Sequence, residues 1–109
     1  MVGRALGLIH DDPAQPWTVA RLAARSGASR ATLARRFTEL VGQPPMAYLT
    51  SWRLALAPDL LCDPVNTIGS VARQVGYGSG FAFSAAFTRV RGVSPSRHRR
   101  AAPARGTRA

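Results

Sequence analysis

The sequence has one cysteine and no long apolar run, and each of these two shortages excludes a class of protein. A lone Cys62 can form neither an internal disulfide nor a zinc site built on several thiolates, so we expect a reducing cytoplasm as the compartment. No stretch approaches the about 18 consecutive apolar residues of a membrane-spanning helix, and we expect no signal peptide. Because no catalytic serine–histidine–acid set, glycine-rich phosphate loop or carboxylate pair stands out, we predict no enzyme activity, cofactor or metal.

Negative charge is also scarce, and it is unevenly placed. Fifteen arginines face five acidic residues, which gives a formal net charge of +10 at pH 7. All five acids lie within residues 1–63, whereas residues 64–109 contain eight arginines and no acid. This surplus favours a polyanionic partner, nucleic acid first and an acidic membrane surface second, because arginine pairs with phosphate oxygens and with the edge of guanine. The alternative is that solvated arginines only keep a small domain soluble.

Short helical patterns fill most of the 109 residues, with apolar side chains spaced three and four apart. We therefore predict an all-α fold of about seven helices. Hydroxyl side chains are the predicted N-caps and glycines the predicted ends of these helices: Thr18, Ser29, Thr67 and Ser79, and Gly27, Gly42, Gly76 and Gly92. From Ala101 onward the pattern ends, and we expect a disordered basic tail over residues 101–109.

The apolar spacing also predicts which side chains face the core. The inward positions of the later helices are Leu33, Phe37, Leu40 and Val41, then Met46, Leu49, Trp52, Leu56 and Leu60, and finally Phe83, Phe87 and Val90. Pro58 falls inside the predicted connecting helix. An interior proline removes a hydrogen bond and costs about 3 kcal/mol, so we expect a kink or a broken last turn there.

The two halves of the chain repeat at an offset of about 49 residues. Aligned pairs include Leu22 with Val71, Gly27 with Gly76, Ser29 with Ser79, Leu33 with Phe83, Phe37 with Phe87, and Gly42 with Gly92. Each half thus contains a helix, a short glycine-containing turn and a serine-capped helix, which is the layout of a helix-turn-helix. One such unit could equally be an ordinary helical hairpin, but two on a basic chain favour DNA binding.

These segments resemble the DNA-binding domain of the AraC/XylS family of bacterial transcription regulators. The resemblance covers residues 4–100 and is strongest in residues 17–23 (WTVARLA), 29–37 (SRATLARRF), 42–54 (GQPPMAYLTSWRL) and 76–95. It implies two helix-turn-helix subdomains joined by a linker helix within a domain over residues 1–100. The first unit occupies about residues 18–41, the linker helix about 45–61 and the second unit about 67–91.

The resemblance also implies a function and a set of partners. It implies sequence-specific binding of double-stranded DNA, promoter-proximal activation through RNA polymerase, and a cupin-like sensor domain preceding this segment in the full-length protein. We expect a nucleoid-associated protein of the cytoplasm with no membrane partner. The alternative is a basic helical adaptor that binds RNA or a protein without reading a DNA sequence; duplex binding that survives competitor DNA would separate the two.

Base-reading residues are implied on the second helix of each unit. In the first unit they are Ala31, Thr32 and Arg35, and in the second unit Gly80, Phe81 and Ser84. Arg35 is the strongest because a bidentate arginine–guanine pair contributes about 1–3 kcal/mol of discrimination. Ala85 stands where the family usually has an arginine, so we expect the first unit to specify sequence and the second mainly to hold the backbone. Phe81 either contacts thymine methyl groups or belongs to the core.

A second set of residues is predicted to contact phosphates, which positions a protein on DNA without specifying a sequence. Its members are Ser29, Arg30, Arg36, Arg53, Ser79, Arg89, Arg91, Arg97, Arg99 and Arg100. Arg53 has an alternative role, in which it braces the linker helix against an acid.

Overall fold

The computed structural model describes residues 1–101, which form seven α-helices and no β-strand. The helices are α1 (Val2–Asp11), α2 (Val19–Ser26), α3 (Arg30–Val41), α4 (Pro45–Cys62), α5 (Ile68–Gln74), α6 (Gly80–Arg91) and α7 (Pro95–Ala101). The all-α prediction and the number of helices are confirmed. The chain divides into two compact units, one over residues 1–52 and one that begins at Arg53, and α4 contributes residues to both.

The first unit encloses a core made by α1, α2, α3 and the first half of α4. Its buried members are Val2, Ala5, Ile9, Trp17, Leu22, Ala23, Leu33, Phe37 and Leu49. The Trp17 indole N–H donates to the Asp12 carbonyl at 2.9 Å, so this large side chain is buried with its polar group satisfied. The core fixes α3 through Leu33 and Phe37, which are both fully buried and one helical turn apart.

The second unit encloses its own core, made by the second half of α4 with α5 and α6. Its buried members are Leu54, Ala57, Leu61, Val71, Ala72, Val75, Phe83, Ala86 and Phe87. Phe83 and Phe87 are in contact at a centroid distance of 5.7 Å with their ring planes tilted by 52°, and the His98 ring of α7 meets Phe87 edge-on at the same distance. The α6 helix is therefore anchored by two phenylalanines in the positions where α3 uses Leu33 and Phe37.

The sequence repeat is a structural repeat. Gly27 and Gly76 both have a positive φ, of +71° and +98°. Gly42 and Gly92, with φ of +92° and +81°, end α3 and α6, the second helices of the two units, which are called the recognition helices below. Positive φ is a conformation that glycine adopts without the steric cost of a β-carbon. Both units therefore use glycine at the same two points, before and after the second helix.

Two predictions about buried side chains are wrong at the ends of the recognition helices. Leu40 is 73% exposed and Val90 is 57% exposed, although the helical spacing had placed both inward. The last buried residue of α3 is Phe37 and that of α6 is Phe87, so the final turn of each helix extends past its core. The two exposed residues are equivalent in the repeat.

The buried stripe predicted for α4 is also wrong in part. Leu54, Ala57 and Leu61 are buried, whereas Leu56 and Leu60 are half-buried. In the first half, Leu49 is buried as predicted, but Met46 and Trp52 are half-buried. A single buried stripe was expected along α4. The helix instead supplies side chains to two separate cores, and its two halves bury different faces.

Two further predictions concern the last turn of α4 and the end of α7. The α4 helix continues through Pro58 to Cys62, so the broken last turn, one of the two outcomes predicted for Pro58, is wrong, and the other outcome, a kink, stays a prediction. Ala101, where the tail was predicted to begin, is the last residue of α7, and the rest of that predicted tail, 102–109, lies outside the described residues. Over residues 1–101, no helix is both long enough and apolar enough to cross a lipid bilayer.

Candidate nucleic-acid interface

The turn between α2 and α3 sets the direction of the first recognition helix. The Thr18 hydroxyl caps α2 by accepting from the Arg21 backbone N–H at 3.1 Å, and Gly27 ends α2 in the left-handed region. The Ser29 hydroxyl then caps α3 by accepting from the Thr32 backbone N–H at 3.1 Å. Only one residue, Ala28, lies between Gly27, the C-cap of α2, and Ser29, the N-cap of α3.

The outward face of α3 carries two of the three predicted base-reading residues fully in solvent. Ala31 and Arg35 are exposed and lie one turn apart, opposite the buried Leu33 and Phe37. Thr32 is half-buried, and its hydroxyl accepts a hydrogen bond from the Ser29 hydroxyl at 2.9 Å. Arg35 is therefore the long hydrogen-bonding side chain at the centre of this face.

Arginines flank the base-reading positions of α3. Arg30 at the start of the helix and Arg36 beside Arg35 are both exposed. The helix N-terminus adds partial positive charge, because its first backbone N–H groups have no partner within the helix. This arrangement offers several cationic groups to a polyanion around one arginine that can pair with a base.

The α6 helix repeats the geometry of α3 with different chemistry. The Ser79 hydroxyl caps it by accepting from the Ala82 backbone N–H at 3.1 Å, as Ser29 does in the first unit. Its outward face carries Phe81 and Ala85, the repeat equivalents of Ala31 and Arg35, and both are exposed.

Phe81 is 86% exposed, so the alternative in which it belongs to the core is wrong. The other two base-reading candidates of the second unit are half-buried. The Ser84 carbonyl accepts a hydrogen bond from the Thr88 hydroxyl at 2.7 Å, and Gly80 lies close to α5, since a β-carbon placed on it would be 3.9 Å from the Gly69 Cα. Phe81 and Ala85 thus dominate the accessible face of α6, and neither can form a hydrogen bond through its side chain.

Arg53 lies beside the turn between α5 and α6. Its guanidinium stands over the Tyr77 ring, 5.9 Å from the ring centroid, and fills the space next to Gly76. Burial lowers the pKa of the Arg53 guanidinium, and burial also raises the pKa of the Tyr77 hydroxyl, an effect that Arg53 and Arg89 partly offset. Arg53 therefore braces the turn of the second helix-turn-helix, and a phosphate contact by the same side chain stays a prediction.

Arg99 has structural partners of its own. Its guanidinium donates to the Leu61 carbonyl at 2.8 Å and to the Asn66 carbonyl, which ties α7 to the end of α4. Arg97 on the same helix is exposed, and its backbone N–H donates to the capping Ser94 hydroxyl at 3.1 Å. The remaining predicted phosphate ligands of the second unit are also exposed: Ser79, Arg89, Arg91 and Arg100.

Sequence reasoning missed the pocket that Gly76 provides for Arg53. The repeat alignment held a signal for it, because one extra residue enters the second unit near Tyr77. That insertion makes the second turn longer than the first and places an aromatic ring in it. The equivalent glycine of the first unit, Gly27, has no heavy atom within 4 Å of an added β-carbon.

Comparison with known proteins agrees with this geometry. Residues 22–101 match the family model described as a helix-turn-helix domain. An AraC-like transcription regulator from Streptomyces lividans is 49% identical over 100 residues, which is 92% of this chain and 33% of that protein. The chain spans about a third of the length of the curated relatives it matches.

Two solved structures show the same fold. The C-terminal domain of AraT, a response regulator from Geobacillus stearothermophilus, superposes with a TM-score of 0.91 at 29% identity, covering 99% of this chain and 90% of that one. The DNA-binding domain of the global transcriptional factor AdpA, in complex with a target DNA, gives a TM-score of 0.82 at 30% identity, covering 92% and 90%. This chain belongs to the AraC-type family of helix-turn-helix transcription regulators.

Proposed function

We propose that this chain binds double-stranded DNA in a sequence-specific manner, as part of a bacterial transcription regulator that acts in the cytoplasm. The observation that carries the proposal is the outward face of α3, where the exposed Arg35 lies opposite a buried Leu33 and Phe37. A helix held in this way can enter the major groove without exposing its core. The DNA-binding domain of AdpA, which has the same fold and was solved in complex with a target DNA, supports DNA as the partner.

Arg35 is the residue that recognises a base through hydrogen bonds. Its guanidinium can donate two parallel hydrogen bonds to O6 and N7 of one guanine, a pattern that no other base offers in the major groove. Ala31 and Thr32 precede it by one turn and are small enough to let the helix approach the base edges. Thr32 can also contact a thymine methyl group through its own methyl.

Arginines and caps around the two recognition helices hold the DNA backbone. Arg30, Arg36 and the capped start of α3 supply positive charge at the first unit, and Arg89 and the start of α6 supply it at the second. Each phosphate neutralised in this way releases counterions, so affinity falls as salt rises. Ala85 gives the second unit no counterpart of Arg35, so hydrogen-bonded specificity resides in the first unit.

In the full-length protein this domain works beside partners that the chain itself does not contain. Activation beside a promoter through RNA polymerase, under the control of an N-terminal cupin-like sensor domain, is the regulatory scheme we propose. This scheme needs no catalytic group.

Selection from a randomised duplex pool tests the proposal. The 109-residue chain is incubated with the pool and unlabelled competitor DNA at two salt concentrations, and the retained duplexes are sequenced. We expect a motif with a guanine-containing block that persists at the higher salt. Binding that disappears with salt and enriches no motif would contradict the proposal, because a basic adaptor without base reading behaves in that way.

A further inference from the structure

Phe81 is the most exposed large apolar side chain within residues 1–101, at 86%, and it lies at the start of a recognition helix. Phe83 and Phe87 in the same helix are fully buried, so the core of this unit does accommodate aromatic side chains. Phe81 instead occupies the repeat position of Ala31, which faces the proposed groove in the first unit. Ala82 and Ala85 are exposed next to Phe81, and a contiguous apolar patch of this kind, unlike a single exposed side chain, marks a contact surface.

The residues around Phe81 form an apolar reading face. Ala82 and Ala85 are exposed beside it and one turn after it, and Thr88 follows on the same side of α6. The Thr88 hydroxyl is turned back onto the helix, where it donates to the Ser84 carbonyl at 2.7 Å, so its methyl group is left for contact. This face therefore offers hydrocarbon where α3 offers a guanidinium.

Charge on the same helix points to DNA as the occupant of this face. Arg89, two turns after Phe81, is exposed, and Arg91 follows in the last turn. The sequence has no acidic residue after Asp63. A polyanion is therefore attracted to the rim of the apolar face, whereas a cationic partner would be repelled.

In the major groove, the group that complements such a face is the C5 methyl of thymine, because the other groups on the base edges are hydrogen-bond donors and acceptors. On the basis of the proposed function, we infer that α6 recognises thymine methyl groups through Phe81. The bound DNA then has two chemically different half-sites. The one under α3 is read through guanine hydrogen bonds, and the one under α6 is read through hydrocarbon contact.

Deoxyuridine in place of thymidine tests the inference directly, because the two nucleotides differ by that one methyl group. In the duplex enriched by selection, each thymine is replaced singly and the dissociation constant is measured by fluorescence anisotropy. We expect at least one thymine in the block away from the guanine whose replacement weakens binding by about fourfold, the ratio for burying one methyl group. Replacements outside the motif should leave affinity unchanged.

Variants of the protein then assign the effect to Phe81. In the Phe81→Ala chain the sensitive thymine and its deoxyuridine replacement should bind equally, and Phe81→Leu should keep part of the difference. Val65→Ala is the matched control, because Val65 is 85% exposed but lies in the loop between α4 and α5. This variant should retain the full difference between the two duplexes.

The outcomes separate this inference from the proposed function. If selection enriches no motif, the proposed function itself fails. If a motif is enriched but no deoxyuridine replacement changes affinity, only the inference is overturned. A Phe81→Ala chain that weakens binding to both duplexes equally, while the difference between them persists, also overturns it, since Phe81 would then contact sugar or backbone.

Discussion

The guanidinium of Arg53 lies where a side chain on Gly76 would begin. The Nε, Cζ and Nη2 atoms of Arg53 are 2.7, 2.8 and 2.8 Å from the position of a β-carbon on Gly76, closer than such atoms come in folded proteins. Gly76 also has a φ of +98°, which strains any other residue. Glycine at this point thus serves the turn through its positive φ, and it also leaves the space that the Arg53 guanidinium occupies.

Substituting this glycine should cost more than substituting its repeat equivalent. In Gly27→Ala the added methyl meets open space, so the cost is the backbone strain of a positive φ, about 1–2 kcal/mol. In Gly76→Ala the same strain is joined by the displacement of the flexible Arg53 side chain from the Tyr77 ring, and we expect about 0.5–1 kcal/mol more from the loss of that cation–π contact. Urea unfolding followed by circular dichroism measures both variants.

A double variant identifies the source of the difference. Removing the guanidinium in Arg53→Ala/Gly76→Ala should make the glycine substitution about as costly as it is at Gly27. If the penalty at Gly76 is the same with and without the arginine, the close approach of the two residues does not contribute to stability.

Substitutions of two arginines of α7 should affect different properties, one the stability of the fold and the other the affinity for DNA. Arg99 donates to the Leu61 and Asn66 carbonyls, so Arg99→Ala should lower the free energy of unfolding by about 1–2 kcal/mol. Arg97 is exposed, so Arg97→Ala should change stability by less than about 0.5 kcal/mol. If Arg97 contacts a phosphate, that variant should instead reduce the slope of log affinity against log salt by about 1.

The salt titration is performed on the selected duplex with both variants and the unchanged chain. An Arg97→Ala protein with an unaltered slope would remove Arg97 from the phosphate contacts. An Arg99→Ala protein of undiminished stability would show that its two carbonyl contacts do not hold α7.

Neighbouring arginines on α3 should have different effects on specificity. Arg35→Ala should remove about 1–3 kcal/mol of discrimination between guanine and other bases at one position of the site. Arg36→Ala should weaken all duplexes by a similar factor and reduce the salt slope by about 1. Competition anisotropy with single-base variants of the selected duplex measures both effects. Equal losses on matched and mismatched duplexes in Arg35→Ala would place Arg35 on the backbone.

Local features of the fold were predictable from the sequence. The capped and terminated helices follow from short-range chemistry, as at Ser29, whose hydroxyl bonds within three residues, and Gly42, which ends α3. The repeat was readable because both units need the same caps and glycines. Predictions for Leu40 and Val90 were wrong because helical spacing gives the inward face but not how far along the helix the core extends.

Long-range contacts set the limit of what the sequence could predict about the interface. The exposure of Arg35 followed from its position opposite Leu33 and Phe37. The packing of Arg53 on Gly76 joins residues more than twenty positions apart, and periodicity carries no information about such a contact. For Phe81, the pattern allowed either core or groove; the structure excludes the core, which Phe83 and Phe87 occupy, and the groove contact stays a prediction.

Exchanging the repeat-equivalent residues Arg35 and Ala85 tests the central claim, that α3 and α6 are equivalent reading helices that carry different side chains. Binding-site selection is performed with the unchanged chain and with the Arg35→Ala/Ala85→Arg variant under the same conditions. The account predicts that the guanine preference leaves the block read by α3 and appears in the block read by α6. An unchanged sequence preference in the exchanged variant would contradict it.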